Sequence, residues 1–276
     1  MSKVLNVSRS SFYRWLSHKP SLRELENDYI VLRIREIHKA SKQTYGSPRI
    51  TAELQETGLG VSRPRVARLM RKSGIKSVLR KKYKVTTDSK HKFPVAQNLL
   101  DRNFEPGEPG KIWVSDITYI RTGRNWAYLT TIIDLGDRKA IGWSVSTTLK
   151  AEDTVVKAWR KAVRNRPIDQ SLIFHSDRGV QYACKEFTDV ISKNPLVTQS
   201  MSRKGNCWDN AVAESFFKTL KCEWSNRFVY QDHRHAELSM FEYIESYYNT
   251  KRRHSALGYL SPAEYSKQLF INQKAA

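Results

Sequence analysis

Cysteine is scarce in this sequence, with three residues in a chain of 276. Cys184, Cys207 and Cys222 are odd in number, and none of them forms a C-x-x-C pair. A disulfide framework or a zinc knuckle needs paired or closely spaced cysteines, so the sequence supports neither. Reduced thiols in a cytosolic protein are the expected state.

Long apolar runs are also missing. No segment approaches the roughly 18 consecutive apolar residues that a membrane-spanning helix requires. The N-terminal residues include no apolar core of the kind found in a secretory signal. The sequence therefore predicts no membrane association and a cytoplasmic location.

Negative charge is in short supply. Asp and Glu number 27 against 48 Lys and Arg, which gives a formal net charge of +21. An excess of this size makes a polyanion the default partner, and nucleic acid is favoured over an anionic membrane surface. Residues 1–110 carry 23 Lys and Arg against 10 Asp and Glu, whereas residues 111–276 carry 25 against 17. We therefore predict a DNA-binding N-terminal part and a catalytic C-terminal part.

This division can be refined into five segments. The predicted organisation is a partial helix-turn-helix fragment at 1–26, a helix-turn-helix DNA-binding region at 27–76, a basic linker at 77–110, a catalytic core at 111–225 and a C-terminal helical extension at 226–276. The linker includes the basic run at 80–84 and two Pro-Gly pairs, which is typical of an extended segment that follows a phosphate backbone.

The front part has the pattern of short helices. Apolar spacing predicts one helix at 27–40, a second opened by Ser47 and Pro48, and a third that is capped by Ser62 and stops at Gly74. A helix, a glycine-containing turn and a basic helix together outline a helix-turn-helix. The predicted DNA contacts on the third helix are Arg63, Arg65, Arg68, Arg71 and Lys72. An ordinary helical bundle with a solvated cationic face is the alternative.

An earlier fragment, at 7–16, resembles only the second half of a helix-turn-helix. Ser8 is its predicted cap. Either the fragment is a short helix in its own right, or its partner helix is encoded in another reading frame.

Beyond residue 110 the pattern changes to that of an α/β fold. Three strands in a meander, followed by alternating helices and strands, is the element order of a ribonuclease H-like catalytic core with a five-stranded mixed sheet. The predicted strands are 112–120, 126–133, 140–146, 171–174 and 197–201, and the predicted helices are 151–163, 184–193, 210–224 and 236–248.

Three acidic residues stand out by their placement. Asp116 lies within an apolar strand, Asp177 just past the end of another strand, and Glu214 in the first turns of a helix. Each has an ordinary explanation: a water-facing edge residue, a turn cap and a helix-dipole acid, respectively. Taken together they favour a site for hard divalent ions, which prefer carboxylate oxygens and substrate phosphates. Two such ions promote phosphoryl transfer without a protein nucleophile.

Basic residues near these acids are candidate phosphate contacts. Lys218 and Lys221 follow Glu214 by four and seven positions, so they share its helix face. Arg178 adjoins the second acid. The alternative interpretation is that Lys218 and Lys221 are two solvated lysines on an amphipathic helix and do not contact DNA.

Five sequence blocks stand out: WVSDITY at 113–119, HSDRGVQY at 175–182, SMSRKGNCWDNAVAES at 200–215, YNTKRRHSALGY at 248–259 and the segment from YGSPRI at 45–50 to Lys72. The first three resemble the integrase-core signatures of the IS3 family (orfB-type) of insertion-sequence transposases. The fourth resembles the C-terminal block of that family, and the fifth resembles its helix-turn-helix region. The resemblance covers nearly the whole chain. The sequence departs from the family pattern in one spacing. Between the second and third acids there are 36 residues here, whereas 35 are usual in the family. We place the extra residue in the loop at 192–196.

The resemblance implies a DDE-type transposase with a fold similar to retroviral integrase. Asp116, Asp177 and Glu214 map onto the family's catalytic and metal-binding acids, and the implied cofactors are Mg²⁺ or Mn²⁺, two ions per active site. Such enzymes cleave and join DNA strands at the ends of their element. Further DNA contacts are predicted at Arg203, Lys204, Arg252 and Arg253.

The resemblance also implies partners. They are double-stranded DNA (element ends and target), a second copy of the chain in a homodimer or higher multimer, and an upstream-frame product that is fused to the chain by a frameshift. The implied location is the bacterial nucleoid. Two other functions stay open at this point. One is a DNA-end-binding or regulatory protein without cleavage activity, and the other is a ribonuclease H-like nuclease that cuts without joining.

Overall fold

The computed structural model describes residues 4, 8–78, 93–105, 107–123, 125–204 and 206–275. The chain divides into two compact units, Met1–Val78 and Leu79–Ala276. Each unit has its own apolar core.

The described part of the first unit is helical. Its elements are α1 (Arg9–Leu16), α2 (Leu22–Ala40), α3 (Ser47–Glu56) and α4 (Arg63–Lys72). The last three enclose a core of Ile30, Ile34, Ile50, Leu54, Val66 and Leu69. This arrangement confirms the predicted helical region, with Pro48 and Pro64 in the first turns of α3 and α4.

Two helix starts refine the prediction for this unit. α2 begins five residues before the predicted residue 27, because Ser21 and Glu24 form a reciprocal capping box. In α1 the Ser8 side chain accepts a hydrogen bond from the Ser11 amide, as the predicted cap requires. None of the residues of α1 is buried.

The described part of the second unit is built on a five-stranded mixed sheet. Its strands are β1 (Ile112–Thr122), β2 (Asn125–Asp134), β3 (Ala140–Ser146), β4 (Leu172–Ser176) and β5 (Val197–Met201). The order is β3-β2-β1-β4-β5, with antiparallel pairing among the first three strands and parallel pairing of β4 with β1 and β5. The predicted ribonuclease H-like architecture is confirmed.

Separate apolar cores lie on the two faces of this sheet. One contains Trp113, Trp159 and Phe187 and is closed by a π-helical turn (Glu152–Val156) and by α5 (Lys157–Asn165), α6 (Val180–Ala183) and α7 (Lys185–Ile191). α7 corresponds to the helix predicted at 184–193, whereas the short helix α6 before it was not predicted. The backbone of Cys184 is extended (ψ 155°), which separates α6 from α7.

The other face is covered by the C-terminal half of the unit. α8 (Ala211–Glu223) and α9 (His233–Phe241), which continues as a π-helical segment (Glu242–Tyr248), cover this face. A further helix, α10 (Pro262–Ala275), was not predicted. Its start is encoded by Ser261 and Glu264, which bond to each other's amides as a capping box.

The described end of the expected linker packs on the catalytic unit. The amide of Leu99 donates to Ser200 Oγ at 2.9 Å, the carbonyl of Gln97 accepts from the Met201 amide, and Leu100 is buried in the core. These bonds order the chain well before residue 110. The basic run at 80–84 lies outside the described residues. Among the helices described, none is both long and apolar enough to cross a membrane.

Candidate active site and nucleic-acid interface

Two of the predicted acids meet at one edge of the sheet. The parallel ladder between β1 and β4 ends with Ser115 opposite Ser176. Asp116 and Asp177 each follow that pair by one residue, and neighbouring strands lie about 4.8 Å apart. The ends of parallel strands thus bring together two carboxylates that are 61 positions apart in the sequence.

The third acid is brought to the same edge by α8. Glu214 lies in the first turn of this helix. Asn210, the residue before the helix, donates from Nδ2 to the carbonyl of Ser115 at 3.0 Å. The start of α8 is thereby fixed to the strand residue that precedes Asp116, so Glu214 is held near the two aspartates.

The three acids interact electrostatically. Burial raises the pKa of Asp116 well above its usual range, and the negative charges of Asp177 and Glu214 raise it further. Burial also raises the pKa of Glu214; nearby Lys218 opposes this shift, while Asp177 adds to it. The three carboxylates therefore repel one another, and a cation among them would relieve the repulsion.

Lys218 and Lys221 lie on the same side of α8 as Glu214, as predicted. Lys218 Nζ is 3.7 Å from Glu214 Oε2. Burial lowers the pKa of Lys221, and the charge of Asp116 works against that shift. Both ammonium groups thus interact with the acids, which a pair of fully solvated lysines would not do.

The described side chains form no ready-made metal cage. Among them, no three His, Cys, Asp or Glu residues are arranged to hold an ion. The donor set nevertheless suits Mg²⁺ or Mn²⁺, because three neighbouring carboxylates offer hard oxygen ligands and repel one another. An ion of this kind takes part of its coordination from water and substrate phosphate, so a closed protein cage is not required.

A buried carboxylate anchors the loop that precedes α8. Asp209 is fully buried and accepts hydrogen bonds from Arg203, Arg102 and Asn98. The bonds from Arg203 hold the pKa of Asp209 far below its usual range despite burial. Arg203, predicted to contact DNA, is engaged in this anchor and in an ion pair with Asp101. Its neighbour Lys204 is exposed.

His175 is part of the packing beneath the site. It is fully buried, with its ring nitrogens 2.9 Å from Ser200 Oγ and 3.2 Å from Ser202 Oγ. Burial lowers the pKa of His175 to about 4, although the charge of Asp209 opposes the shift. The ring is therefore neutral at physiological pH and does not face a substrate. Arg178, next to Asp177, is partly buried.

Two aromatic residues near the acids behave differently. Tyr182 is buried and hydrogen-bonded to Ser115 Oγ at 2.8 Å, so it belongs to the core. Trp208, by contrast, is 69% exposed. It lies in the short 3-10 helix Cys207–Asn210, where the chain turns into α8 and the buried positions are taken by Asp209 and Asn210.

The predicted basic face of α4 is present, with one exception. The exposed residues are Arg63, Arg68, Arg71 and Lys72. Arg65 instead donates to both carboxylate oxygens of Glu26 and to Asn27 Oδ1, all on α2. Its guanidinium therefore holds two helices together.

Arg252 and Arg253 do not lie at the surface, where DNA contacts would be made. The side chain of Arg252 is 3% exposed and donates to both carboxylate oxygens of Glu223, at 2.7 and 2.8 Å. Arg253 is also buried and donates to the carbonyl of Tyr259. The basic appearance of this segment in the sequence was misleading, because one of its charges is neutralised inside the fold and the other satisfies a turn carbonyl.

Asn210 and Asp209 are the positioning residues that sequence reasoning missed. Neither of them is among the site residues predicted from the sequence. The structure gives each a partner distant in sequence, namely the Ser115 carbonyl and the Arg102 guanidinium. A polar pair ahead of an apolar helix start was the available signal, but its partners depend on the tertiary fold.

Comparisons with known protein families agree with this geometry. Residues 106–207 and 196–262 match two models described as "Integrase core domain", and residues 24–83 match one described as "HTH-like domain". The first two ranges include the three acids, and the third includes α4.

Individual proteins show similarity over most of the chain. A 31 kDa protein of insertion element IS600 from Shigella sonnei is 39% identical over 97% of this chain and 98% of its own length. Transposase InsF of insertion sequence IS3A from Escherichia coli (strain K12) is 36% identical over 97% of this chain and 93% of its own. Among solved structures, the catalytic core of BIV integrase aligns with 59% of this chain and 99% of its own at 15% identity, with a TM-score of 0.42.

Proposed function

Because the chain belongs to the IS3 family of insertion-sequence transposases, we propose that Asp116, Asp177 and Glu214 are the catalytic carboxylates of this DDE-type transposase. The protein is a polynucleotidyl transferase with an integrase-type core. The observation that supports this assignment is that the three acids meet at one edge of the sheet. The pKa of Asp116 is raised in part by the charges of Asp177 and Glu214, and the pKa of Glu214 is raised in part by the charge of Asp177.

The three acids would hold two divalent ions, Mg²⁺ or Mn²⁺. Ions bound there would activate the attacking oxygen and stabilise the leaving oxygen of a scissile phosphate. Asn210 fixes the position of Glu214 relative to Asp116 through the Ser115 carbonyl. Lys218 and Lys221 place positive charge beside the acids, where it attracts the DNA backbone. No histidine base is needed, and His175 is buried and neutral.

The substrates would be double-stranded DNA at the element ends and at the target. The exposed cations of α4 would bind phosphates of the element end, with Lys204 and Arg178 nearer the scissile strand. Two DNA ends must be joined, so the working complex would contain at least two copies of the chain, with an upstream-frame product fused by a frameshift where end recognition requires it. A DNA-binding role without cleavage is not favoured by a complete set of acids.

Dependence on a divalent cation tests this proposal directly. Wild-type protein is expected to cleave and join DNA that carries the element ends in the presence of Mg²⁺ or Mn²⁺, and to lose this activity when EDTA removes the ion. Mg²⁺ should also raise the melting temperature of the wild type but not that of Glu214→Gln, since ligand binding to the native state stabilises it. Cleavage that persists in EDTA would contradict the metal-carboxylate mechanism.

The basic face of α4 yields a second prediction. Replacing both Arg68 and Arg71 with Ala should weaken binding to element-end DNA and lower the slope of log affinity against log salt by about 2, roughly one unit per lost phosphate contact. The measurement is a salt titration by fluorescence anisotropy.

Arg65→Ala is the matched control on the same helix. Its guanidinium already bonds Glu26 and Asn27, so the salt slope should stay close to the wild-type value. An unchanged slope in the Arg68 and Arg71 double variant would remove α4 from the DNA interface.

A further inference from the structure

α2 has a second apolar stripe besides the one that packs into its own unit. Ile30 and Ile34 are buried in the core of the first unit. Leu22, Leu25, Tyr29 and Leu32 are between 51% and 86% exposed. At 100° per residue the exposed stripe lies roughly 140° around the helix from the buried one. Single exposed apolar residues need no explanation, but a continuous row marks an interaction surface.

The spacing of the stripe indicates what kind of surface it is. Successive members are separated by three, four and three positions, which is the a-d-a-d order of a coiled-coil seam. The same row continues with Glu36 and Lys39 at the next two seam positions, so the apolar part is limited to the first half of α2. The surface therefore suits one other helix over a short length.

We propose that this stripe pairs α2 with α2 of a second copy of the chain, in parallel orientation. With Leu22 and Tyr29 at positions a, Asp28 occupies position g and Arg33 the following position e. Parallel coiled coils place g of one helix beside the next e of its partner. Asp28 of each copy would then face Arg33 of the other, giving two complementary pairs. An antiparallel arrangement would instead bring the two Asp28 carboxylates towards each other.

The remaining charges are compatible with this pairing. Arg33 forms an ion pair with Glu36 of its own helix, and rotation of its side chain suffices to reach Asp28 of the second copy. Glu26 at the other e position is bound by Arg65 and is thus directed towards its own unit. The interface is short, so we expect a dimer of modest affinity that the joint binding of two DNA ends would strengthen. It does not depend on the three catalytic acids.

Sedimentation equilibrium of the full chain tests the dimer. Wild type should show a concentration-dependent monomer–dimer equilibrium. Leu25→Glu combined with Leu32→Glu should raise the dimer dissociation constant at least about tenfold, since two charges enter each side of the seam. Leu238→Glu, at a leucine on α9 that is 61% exposed, is the matched control and should leave the equilibrium unchanged. Circular dichroism of each variant distinguishes loss of pairing from loss of folding.

Two further measurements test the orientation. Asp28→Arg alone should weaken the dimer, and adding Arg33→Asp to it should restore most of the affinity. After mild oxidation, Leu25→Cys should form a disulfide between the same position of two copies, identified by mass spectrometry of the linked peptides. A wild type that stays monomeric at all accessible concentrations would overturn the proposal. So would an intramolecular cross-link between Leu25→Cys and Trp15→Cys in a monomer, because α1 of the same chain would then cover the stripe.

Discussion

Asp177→Asn is expected to slow DNA strand cleavage at least about a thousandfold while leaving the affinity for element-end DNA nearly unchanged. The substitution keeps the size of the side chain but removes one negative charge from the three acids. Metal-bound charge stabilisation in phosphoryl transfer is worth several kcal/mol, and each 1.4 kcal/mol corresponds to about a factor of ten in rate. The rate is measured as initial cleavage of end-labelled DNA with saturating Mg²⁺.

Asp189→Asn is the matched control. Asp189 is an exposed residue on α7, and the causes of the pKa shifts of Asp116 and Glu214 do not include its charge, so its replacement should leave cleavage unaffected. Asp116→Asn should behave like Asp177→Asn, because the charges of these two acids act on each other. Near-normal cleavage by either variant would remove that residue from the catalytic set.

Arg252→Ala is expected to cost about 3–5 kcal/mol of unfolding free energy, the usual effect of removing one partner of a buried ion pair. Arg252 and Glu223 are both almost completely buried and share two hydrogen bonds. Without the guanidinium, the buried Glu223 carboxylate on α8 would lose two charge-assisted hydrogen bonds. Urea denaturation monitored by circular dichroism measures the loss.

A double variant distinguishes the contribution of the Arg252–Glu223 ion pair from the cost of leaving one buried charge behind. In Arg252→Met with Glu223→Leu both charges disappear, and the double variant should recover most of the lost stability. Arg234→Ala, at an exposed arginine on α9, should change the unfolding free energy little. A stable Arg252→Ala protein with weakened DNA binding would instead restore the original prediction that this residue contacts DNA.

The sheet and the catalytic edge were predictable because their signals are local. The sequence pattern predicted the strands at 112–120 and 126–133 as neighbours in a meander, and the observed antiparallel register runs from Trp113 opposite Asp134 to Thr122 opposite Asn125. Asp116 drew notice because a charge within an apolar strand is costly unless it has a partner or a ligand. Such arguments need no knowledge of distant residues.

The partners of the arginines were not predictable in this way. Arg65, Arg203 and Arg252 have the same local appearance as Arg68 or Lys204, since each lies in a polar or basic stretch. Their acceptors are Glu26, Asp209 and Glu223, of which only Asp209 is near in sequence. Whether an arginine is free to bind phosphate depends on which carboxylates the fold brings to it.

The sequence by itself determined the family, the order of the strands and of the longer helices up to residue 248, and the chemical nature of the three acids, because these follow from residue type and local periodicity. The tertiary structure alone decided that the ends of β1 and β4 coincide, that Asn210 joins α8 to the Ser115 carbonyl, and that α2 exposes a second apolar stripe. The physical reason is that burial and electrostatic coupling depend on distances between elements, and the packing of the sheet and helices sets those distances.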